Sequence, residues 1–253
     1  MFTPPKVPKK LARDTIFEAV FEVRFTQRRA EVAAMLPGFL FSKLPGLFSS
    51  TQELPFAQMP AEIRDANELF TYQATHALIG ENNRLLVGPR SLTVAVTRPY
   101  PGWIGFSRLI AKCVHALLDT SFVQDFERCS LKYTNLLSEG SDEKDLTQLK
   151  VSFDLAGLPL TGIGTQLKAE VLHRDCVSLV NVITAARLKL STDATDAIGH
   201  SGLLVTVDTI KLGPLANFAS DFSKVLGILH MAEKEVFFSL LTPETLQKLG
   251  PEW

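Results

Sequence analysis

An alternating segment, residues 16–25, constrains the fold more than any other part of the 253-residue sequence. Its polar positions include Glu18, Glu22 and Arg24, whereas its apolar positions are Phe17, Ala19, Phe21, Val23 and Phe25. Side chains of a β-strand point alternately to opposite faces, so this period of two predicts a strand with one buried face. The chain must therefore contain a sheet that has an apolar face to cover.

Further stretches of alternating or β-favouring residues indicate that this sheet is mainly antiparallel. The loop Gly80–Asn83 and the turn His173–Cys176 each join two such stretches as closely as a hairpin does. Parallel strands would need a longer crossover connection. The predicted strands cover residues 70–79, 83–88, 92–97, 126–137, 149–155, 165–173, 176–190 and 203–207.

Apolar residues recur at helical spacing in two long segments. The longer stripe lies within residues 215–241, and the other consists of Trp103, Phe106, Ile110, Cys113, Val114 and Leu117. Thr242 followed by Pro243 predicts the N-cap and first residue of a short last helix. Another short helix is predicted over Gln27–Leu36, with Pro37–Gly38 as its break.

Both halves of the chain have strands followed by one long amphipathic helix. The sequence therefore predicts an α+β fold in which long amphipathic helices pack on one face of a curved, mainly antiparallel sheet. Two similar α+β halves are a further hypothesis. The predicted domains are a flexible basic leader at 1–14, an N-terminal half at 15–139 and a C-terminal half at 146–253, divided by the polar segment Gly140–Asp145.

Charge and targeting signals limit the class of protein. The 26 Lys and Arg residues nearly equal the 27 Asp and Glu residues, and a net charge of −1 argues against a dedicated nucleic-acid-binding protein. The basic N-terminus has no apolar signal-peptide segment after it, and no stretch reaches the roughly 18 apolar residues of a membrane-spanning helix. Three widely spaced cysteines fit a reducing compartment. We therefore expect a cytoplasmic protein without a membrane partner.

Motifs of the common catalytic and cofactor-binding sites are missing from the sequence. It has no phosphate-binding loop, no dinucleotide-binding glycine pattern, no nucleophile elbow and no HExxH or CxxC motif. No two of its five histidines lie within four residues of each other. The sequence thus predicts no catalytic residue, no cofactor and no metal site.

Six residues on two predicted strands are the remaining site candidates: Glu18, Glu22, Arg24, Arg128, Lys132 and Tyr133. One interpretation is a cross-strand ion network, because carboxylates on one strand can face cations on its neighbour. The other is the polar wall of a pocket between the sheet and the helix predicted at 215–241. The sequence leaves both interpretations open.

Three motifs resemble those of a sporadically distributed prokaryotic family of uncharacterised proteins of about 250 residues. Residues 16–25, IFEAVFEVRF, resemble the family's opening motif I-x-E-A-V-F-E-I-R-F. Leu131–Asn135 resembles its L-R-Y-x-N strand, with Lys132 in place of Arg, and Leu229–Thr242 resembles its C-terminal helix L-H…F-F-x-x-(I/L)-T. The family's patchy distribution resembles that of mobile, accessory or defence-linked genes, which implies partner binding rather than housekeeping catalysis.

These observations favour a non-catalytic protein-interaction component, which the resemblance would place in a defence or toxin-type accessory system. Its partner would be another protein or a second copy of the chain, bound through apolar surface such as Phe39–Phe48. The first alternative is an enzyme or small-ligand-binding protein that uses the pocket between the sheet and the C-terminal helix. RNA or DNA binding through the basic leader, Arg128 and Lys132 is a weaker alternative.

Overall fold

Most of the predicted strands and both long helices are present in a computed structural model of the chain. The structure describes residues 5–28, 34–139, 145–159, 164–189, 199–213 and 215–253. About 31% of the residues are helical and about 41% are in strands, so neither type dominates and the α+β class is confirmed.

Among the described residues, nine strands form one antiparallel sheet, and four short strands form two separate pairs. In chain order the strands are β1 (Lys10–Leu11), β2 (Ile16–Gln27), β3 (Ser50–Glu53), β4 (His76–Ile79), β5 (Asn83–Val87), β6 (Ser91–Thr97), β7 (Val123–Leu137), β8 (Asp154–Leu155), β9 (Leu158–Pro159), β10 (Gln166–His173), β11 (Cys176–Lys189), β12 (Gly199–Leu212) and β13 (Pro251–Glu252). The order across the sheet is β10–β11–β12–β7–β2–β6–β5–β4–β3, while β1 pairs with β13 and β8 with β9.

Six helices accompany these strands in the described part of the chain. They are α1 (Leu36–Lys43), α2 (Ala61–Asp65), α3 (Glu68–Thr71), α4 (Gly102–Leu118), α5 (Phe218–Leu240) and α6 (Pro243–Lys248), and short 3₁₀ turns lie at Pro55–Gln58 and Leu146–Gln148. The predicted N-cap is confirmed, since the Thr242 hydroxyl accepts a hydrogen bond from the backbone N–H of Thr245 at 3.2 Å. None of the helices in the described ranges is long and apolar enough to cross a membrane.

β2 confirms the alternation from which the fold was predicted. The five apolar side chains of its inner face are at most 8% exposed, whereas the side chains between them are half-buried. The strand pairs with β6 in antiparallel register, with Glu18 opposite Thr97 and Arg24 opposite Ser91. Burial of a large apolar side chain contributes about 1.5–3 kcal/mol, so this strand alone supplies a substantial part of the core.

Three predictions in the first half of the chain are wrong. Pro37 does not break a helix, because α1 begins at Leu36 and proline is favourable in the first turn, where its missing N–H has no helical partner to lose. The predicted helix at 27–36 is also wrong at its start, since β2 continues to Gln27, and residues 29–33 lie outside the described residues. The strand predicted at 70–79 begins only at His76, after α3.

The strand predicted at 149–155 is reduced to fragments. Leu149 makes an isolated antiparallel bridge with Leu241, and β8 contains only two residues. Residues 190–198 separate the strands predicted at 176–190 and 203–207 and lie outside the described residues, and β12 begins at Gly199, earlier than predicted. Alternation of apolar residues is therefore not sufficient for a continuous strand here: among the described residues of 149–155, only Leu149, Asp154 and Leu155 have β-partners.

The chain divides into two compact units, and each combines segments that are distant in sequence. The first unit contains residues 1–17, 132–209 and 230–253, and the second contains residues 18–131 and 210–229. The predicted halves, by contrast, follow chain order, and residues 140–144 of the predicted divider lie outside the described residues.

Each unit has its own apolar core. In the first unit, strand residues pack with the end of α5 and with α6, and the buried members include Val182, Val205, Val207, Val236, Phe237 and Leu241. In the second, Phe222 of α5 contacts Phe21 of β2 and His115 of α4, with ring centroids 6.1 Å and 6.3 Å apart. Phe218 lies 4.3 Å from the ring of Phe126, so α4 and the first turns of α5 cover the apolar face of β2.

Residues 5–14 of the predicted basic leader are described, and they contact the C-terminal segment of the first unit. Lys10 and Leu11 pair with Glu252 and Pro251 in β1 and β13. The Lys9 ammonium donates to the main-chain oxygen of Trp253 at 3.0 Å. These basic residues therefore take part in the packing of the chain ends.

Candidate functional site

Three of the six predicted site residues form an ion network on β2 and β7. The Arg24 guanidinium donates to the Glu22 carboxylate at 2.7 Å, and an Arg128 nitrogen lies 3.9 Å from the same carboxylate oxygen. All three side chains are about one-quarter exposed. Ion pairs this exposed contribute little to stability individually. Two cations on one carboxylate nevertheless hold the Glu22 side chain in one orientation on the strand.

Tyr72 extends this network to a second carboxylate. The Arg24 guanidinium lies 4.5 Å above the Tyr72 ring, and the Arg90 guanidinium lies 5.6 Å from it. The Tyr72 hydroxyl donates to Glu127 at 2.8 Å, and Arg90 donates to the other oxygen of Glu127 at 3.2 Å. Burial raises the pKa of Tyr72, and the hydrogen bond to Glu127 raises it further. The arrangement pairs each carboxylate with cations and keeps the phenol protonated.

Sequence reasoning missed Tyr72, Arg90 and Glu127. Tyr72 follows α3 and Arg90 lies in the turn before β6, so neither has a local pattern that indicates a site. Glu127 was accessible to prediction, because it neighbours Arg128 on the predicted strand 126–137.

The other three predicted residues lie at different positions on the same two strands. Glu18 and Lys132 are half-buried on β2 and β7. Tyr133 is buried, and its ring meets the His230 ring edge-on at 6.4 Å. Tyr133 therefore belongs to the packed interior of the first unit rather than to a polar wall.

A second charged cluster joins the tip of the β10–β11 hairpin to α5. Arg174 donates to both oxygens of Glu235, at 2.5 Å and 2.8 Å, and the His173 ring nitrogen lies 2.6 Å from Glu235. These contacts, that of Arg174 foremost, lower the pKa of Glu235. A buried carboxylate that is held by a forked guanidinium stays ionised and fixes the turn against the helix.

Two neighbouring residues of α5 are titratable and uncharged near neutral pH. Glu233 is 3% exposed, and burial raises its pKa to about 8. Burial lowers the pKa of His230, one helical turn earlier, to about 3. Burial also lowers the pKa of Lys234, which donates to the Pro8 carbonyl at 2.9 Å.

The potential metal ligands and thiols do not cluster in the described ranges. No group of three His, Cys, Asp or Glu side chains there is placed to hold a metal ion. Cys113, Cys129 and Cys176 are all buried, and none of them forms a disulfide. Burial raises the pKa of Cys113 to about 12, so this thiol is a poor nucleophile.

A pocket of about 300 Å³ lies beside α4, in the second unit. Its apolar lining includes Val96 and Leu109, and Arg108 and Lys112 project one helical turn apart. The carboxamide oxygen of Asn83, which also lines it, is buried without a hydrogen-bond partner. None of the six predicted candidates is among its lining residues in the described part of the chain.

The apolar segment Phe39–Phe48, which was predicted as interaction surface, contributes mainly to the core. Leu40, Leu44 and Phe48 are buried, whereas Phe41 is exposed. The excess of apolar residues in this segment is therefore largely explained by packing of α1 and the residues after it.

β10 is an edge strand of the sheet. It pairs with β11 on one side, and no described strand pairs with its other side. The Thr184 N–H donates to the Thr165 carbonyl at 3.0 Å, and such bonds recur at every second residue of an antiparallel ladder. The N–H and C=O groups of the even-numbered residues therefore point away from β11; these residues are Gln166, Lys168, Glu170 and Leu172.

Exposed apolar side chains accompany this open edge. Leu172 is 78% exposed, and Leu179, diagonal to it on β11, is 38% exposed. The sheet's other edge strand, β3, has four residues, against eight in β10. β10 is thus the longer of the two strands to which another chain could add.

Comparison with known proteins gives no family assignment. No family model matches the chain, and no curated protein matches it.

Proposed function

We propose that this protein is a non-catalytic interaction protein whose binding element is the open edge of β10. One observation supports the proposal. The main-chain N–H and C=O groups of four β10 residues point away from β11, and the exposed side chains of Leu172 and Leu179 lie beside them. An extended segment of another polypeptide can add to such an edge through main-chain hydrogen bonds. The same segment would cover apolar surface, which adds to affinity.

The pKa values and ion pairing of the potentially reactive side chains support a non-catalytic role. The Cys113 thiol has a pKa of about 12, the His230 imidazole has a pKa of about 3, and Glu235 is held by Arg174. A nucleophile or general base needs a pKa near the working pH and access to substrate. The family resemblance adds the proposal that the interaction serves a prokaryotic defence or toxin-type accessory system.

A proline at Glu170 tests the binding element. The Glu170 N–H points away from β11, so Glu170→Pro removes a donor from the open edge without removing a bond of the β10–β11 ladder. Glu170→Gln keeps the N–H and serves as the matched control. The mass in solution is measured over a range of concentrations, alone and with the purified products of adjacent genes.

We expect the proline variant to remain folded by circular dichroism and to lose at least tenfold in association affinity. The glutamine variant keeps the main-chain donor and loses only the carboxylate, so it should associate more tightly than the proline variant. A chain that associates with nothing, or an association that the proline leaves unchanged, rejects the β10 edge as the binding element.

The pocket beside α4 favours a second candidate function, the binding of a small organic carboxylate. Its apolar lining suits a short hydrocarbon body, and Arg108 and Lys112 suit a carboxylate. Hexanoate should therefore shift amide resonances around α4, whereas the uncharged hexanamide should not. Arg108→Gln should abolish the shift and Lys224→Gln, an exposed cation outside the pocket lining, should retain it. Equal responses to the acid and the amide would reject this candidate.

A further inference from the structure

β10 carries a lysine and a glutamate that would lie opposite each other if two copies of the strand paired antiparallel. We infer that the strand added to this edge is β10 of a second copy of the chain, paired antiparallel with Lys168 of one protomer opposite Glu170 of the other. The inference rests on the proposed function, because it names the occupant of the edge proposed there.

Backbone geometry permits only some registers. In an antiparallel pair, two opposed residues exchange hydrogen bonds only if the N–H and C=O groups of both point toward the partner strand. On β10 these are the even-numbered residues, since the odd-numbered ones bond to β11. An even residue must therefore face an even residue, and a two-fold axis can pass only through Lys168, Ala169, Glu170 or a more distant residue of the strand.

Charge selects among the central registers. An axis through Lys168 would place two lysines opposite each other, and an axis through Glu170 would place two glutamates opposite each other, which is unfavourable in both cases. An axis through Ala169 instead places each Lys168 opposite a Glu170 and creates two attractive pairs. This register also leaves Gln166 opposite Leu172, so every even residue of the strand has a partner.

The other face of the strand is compatible with the same register. Leu167 and Val171 are half-buried and pack against the core of the first unit. With the axis at Ala169, Leu167 of one protomer faces Val171 of the other, and the two small Ala169 side chains meet at the axis. Apolar residues therefore face apolar residues on one face while opposite charges face each other on the second.

A lysine on an edge strand usually prevents pairing, because an added strand would bury its charge. Here Glu170 lies two residues away on the same face, so the partner copy brings a carboxylate to each lysine. Lys168 thereby excludes foreign strands that lack an acidic residue at this position and admits a second β10 in one register. The pair acts as a specificity device rather than as a block.

Charge-exchange variants test the pairing. Lys168→Glu places two pairs of glutamates opposite each other, and Glu170→Lys places two pairs of lysines opposite each other. Each variant alone should therefore self-associate at least about tenfold more weakly than the wild type. An equimolar mixture of the two variants should form a heterodimer of near wild-type affinity, because each chain then meets the opposite charge at both positions.

A cysteine scan reads the register directly. Residues that face each other without hydrogen bonds have Cα atoms about 4.5 Å apart, within disulfide range, so Ala169→Cys should form a symmetric cross-link on mild oxidation. Two Lys168→Cys positions would lie about 8–9 Å apart in the same register, which is too far. Gln166→Cys is a more distant control. The wild type measures the background from its three buried cysteines.

The outcomes separate this inference from the proposed function. Cross-linking at Ala169 together with rescue in the mixture supports the register. Preferential cross-linking at Lys168, or failure of the mixture to associate, overturns it. An association with another protein that Glu170→Pro abolishes, without self-association of the wild type, would reject the second copy and retain the proposed function. If the chain associates neither with itself nor with another protein, the second copy and the proposed function are both rejected.

Discussion

Glu233 and His230 lie one turn apart on α5, and burial keeps both uncharged near neutral pH. The pKa of Glu233 is raised from 4.5 to about 8, so the folded chain keeps a proton that the unfolded chain releases. Stability should therefore fall as pH rises from about 4.5 to about 8. The pKa of His230 is lowered from 6.5 to about 3, so stability should rise with pH from about 3 to about 6.5. The effects of Glu233 and His230 on stability oppose each other below pH 6.5. Above pH 6.5 only the effect of Glu233 remains.

Replacement of Glu233 by glutamine isolates its contribution. Because glutamine cannot ionise, the unfolding free energy of Glu233→Gln relative to the wild type should increase between pH 6.5 and 8, by up to about 1.4 kcal/mol per pH unit. Urea unfolding at three pH values in this interval measures the difference. Glu244→Gln, at an exposed position of α6, is the matched control. Parallel pH curves for wild type and Glu233→Gln would contradict a buried neutral acid at this position.

The Glu22, Arg24 and Arg128 network was predictable in part. Its members occupy the polar faces of two strands that alternation predicts, and opposite charges on neighbouring strands attract. Tyr72 could not be predicted as a member, because its contacts with Arg24 and Glu127 join segments about 50 residues apart. Such contacts depend on strand order, and periodicity within one strand carries no information about that order.

At the scale of elements, α6 depends on a local signal. The Thr242 hydroxyl accepts from the Thr245 N–H at 3.2 Å, which satisfies one of the free donors in the first turn. Thr242→Ala should lower the free energy of unfolding by about 1 kcal/mol, whereas Thr242→Ser should lose less than about half of that amount. Urea denaturation at neutral pH distinguishes them. Equal losses in the two variants would show that the threonine methyl group, rather than the hydroxyl, stabilises the helix.

Local signals explain which elements were predicted correctly. The alternation of β2 and the helical spacing of α4 both arise because one face of a single element is buried, so each can be identified within a short window. The region at 70–79 failed because apolar residues of a short helix and of the next strand follow each other without a clear break. The edge position of β10 could not be predicted either, because an edge strand differs from an interior strand only through its neighbours.

At the scale of the molecule, the first unit joins residues 1–17 to residues 230–253. The Lys9 N–H donates to the Glu252 carbonyl at 2.7 Å, and the Ala12 N–H donates to the Gly250 carbonyl at 2.9 Å. The Lys6 ammonium lies 4.8 Å above the Trp253 ring. Because a protease must bind its substrate as an extended free segment, this pairing should protect the basic residues from trypsin.

Deletion of residues 251–253 tests that protection. It removes β13 and the Trp253 ring but leaves the Gly250 carbonyl that bonds to Ala12, so the segment before Ala12 should loosen first. Trypsin should then cleave after Lys6, Lys9 and Lys10 several-fold faster than in the intact chain, while cleavage elsewhere changes little. Trp253→Ala, which keeps the backbone pairing and removes only the ring, should give an intermediate rate. Mass spectrometry of timed digests measures each site, and equal rates in all three proteins would mean that the paired ends do not shield the leader.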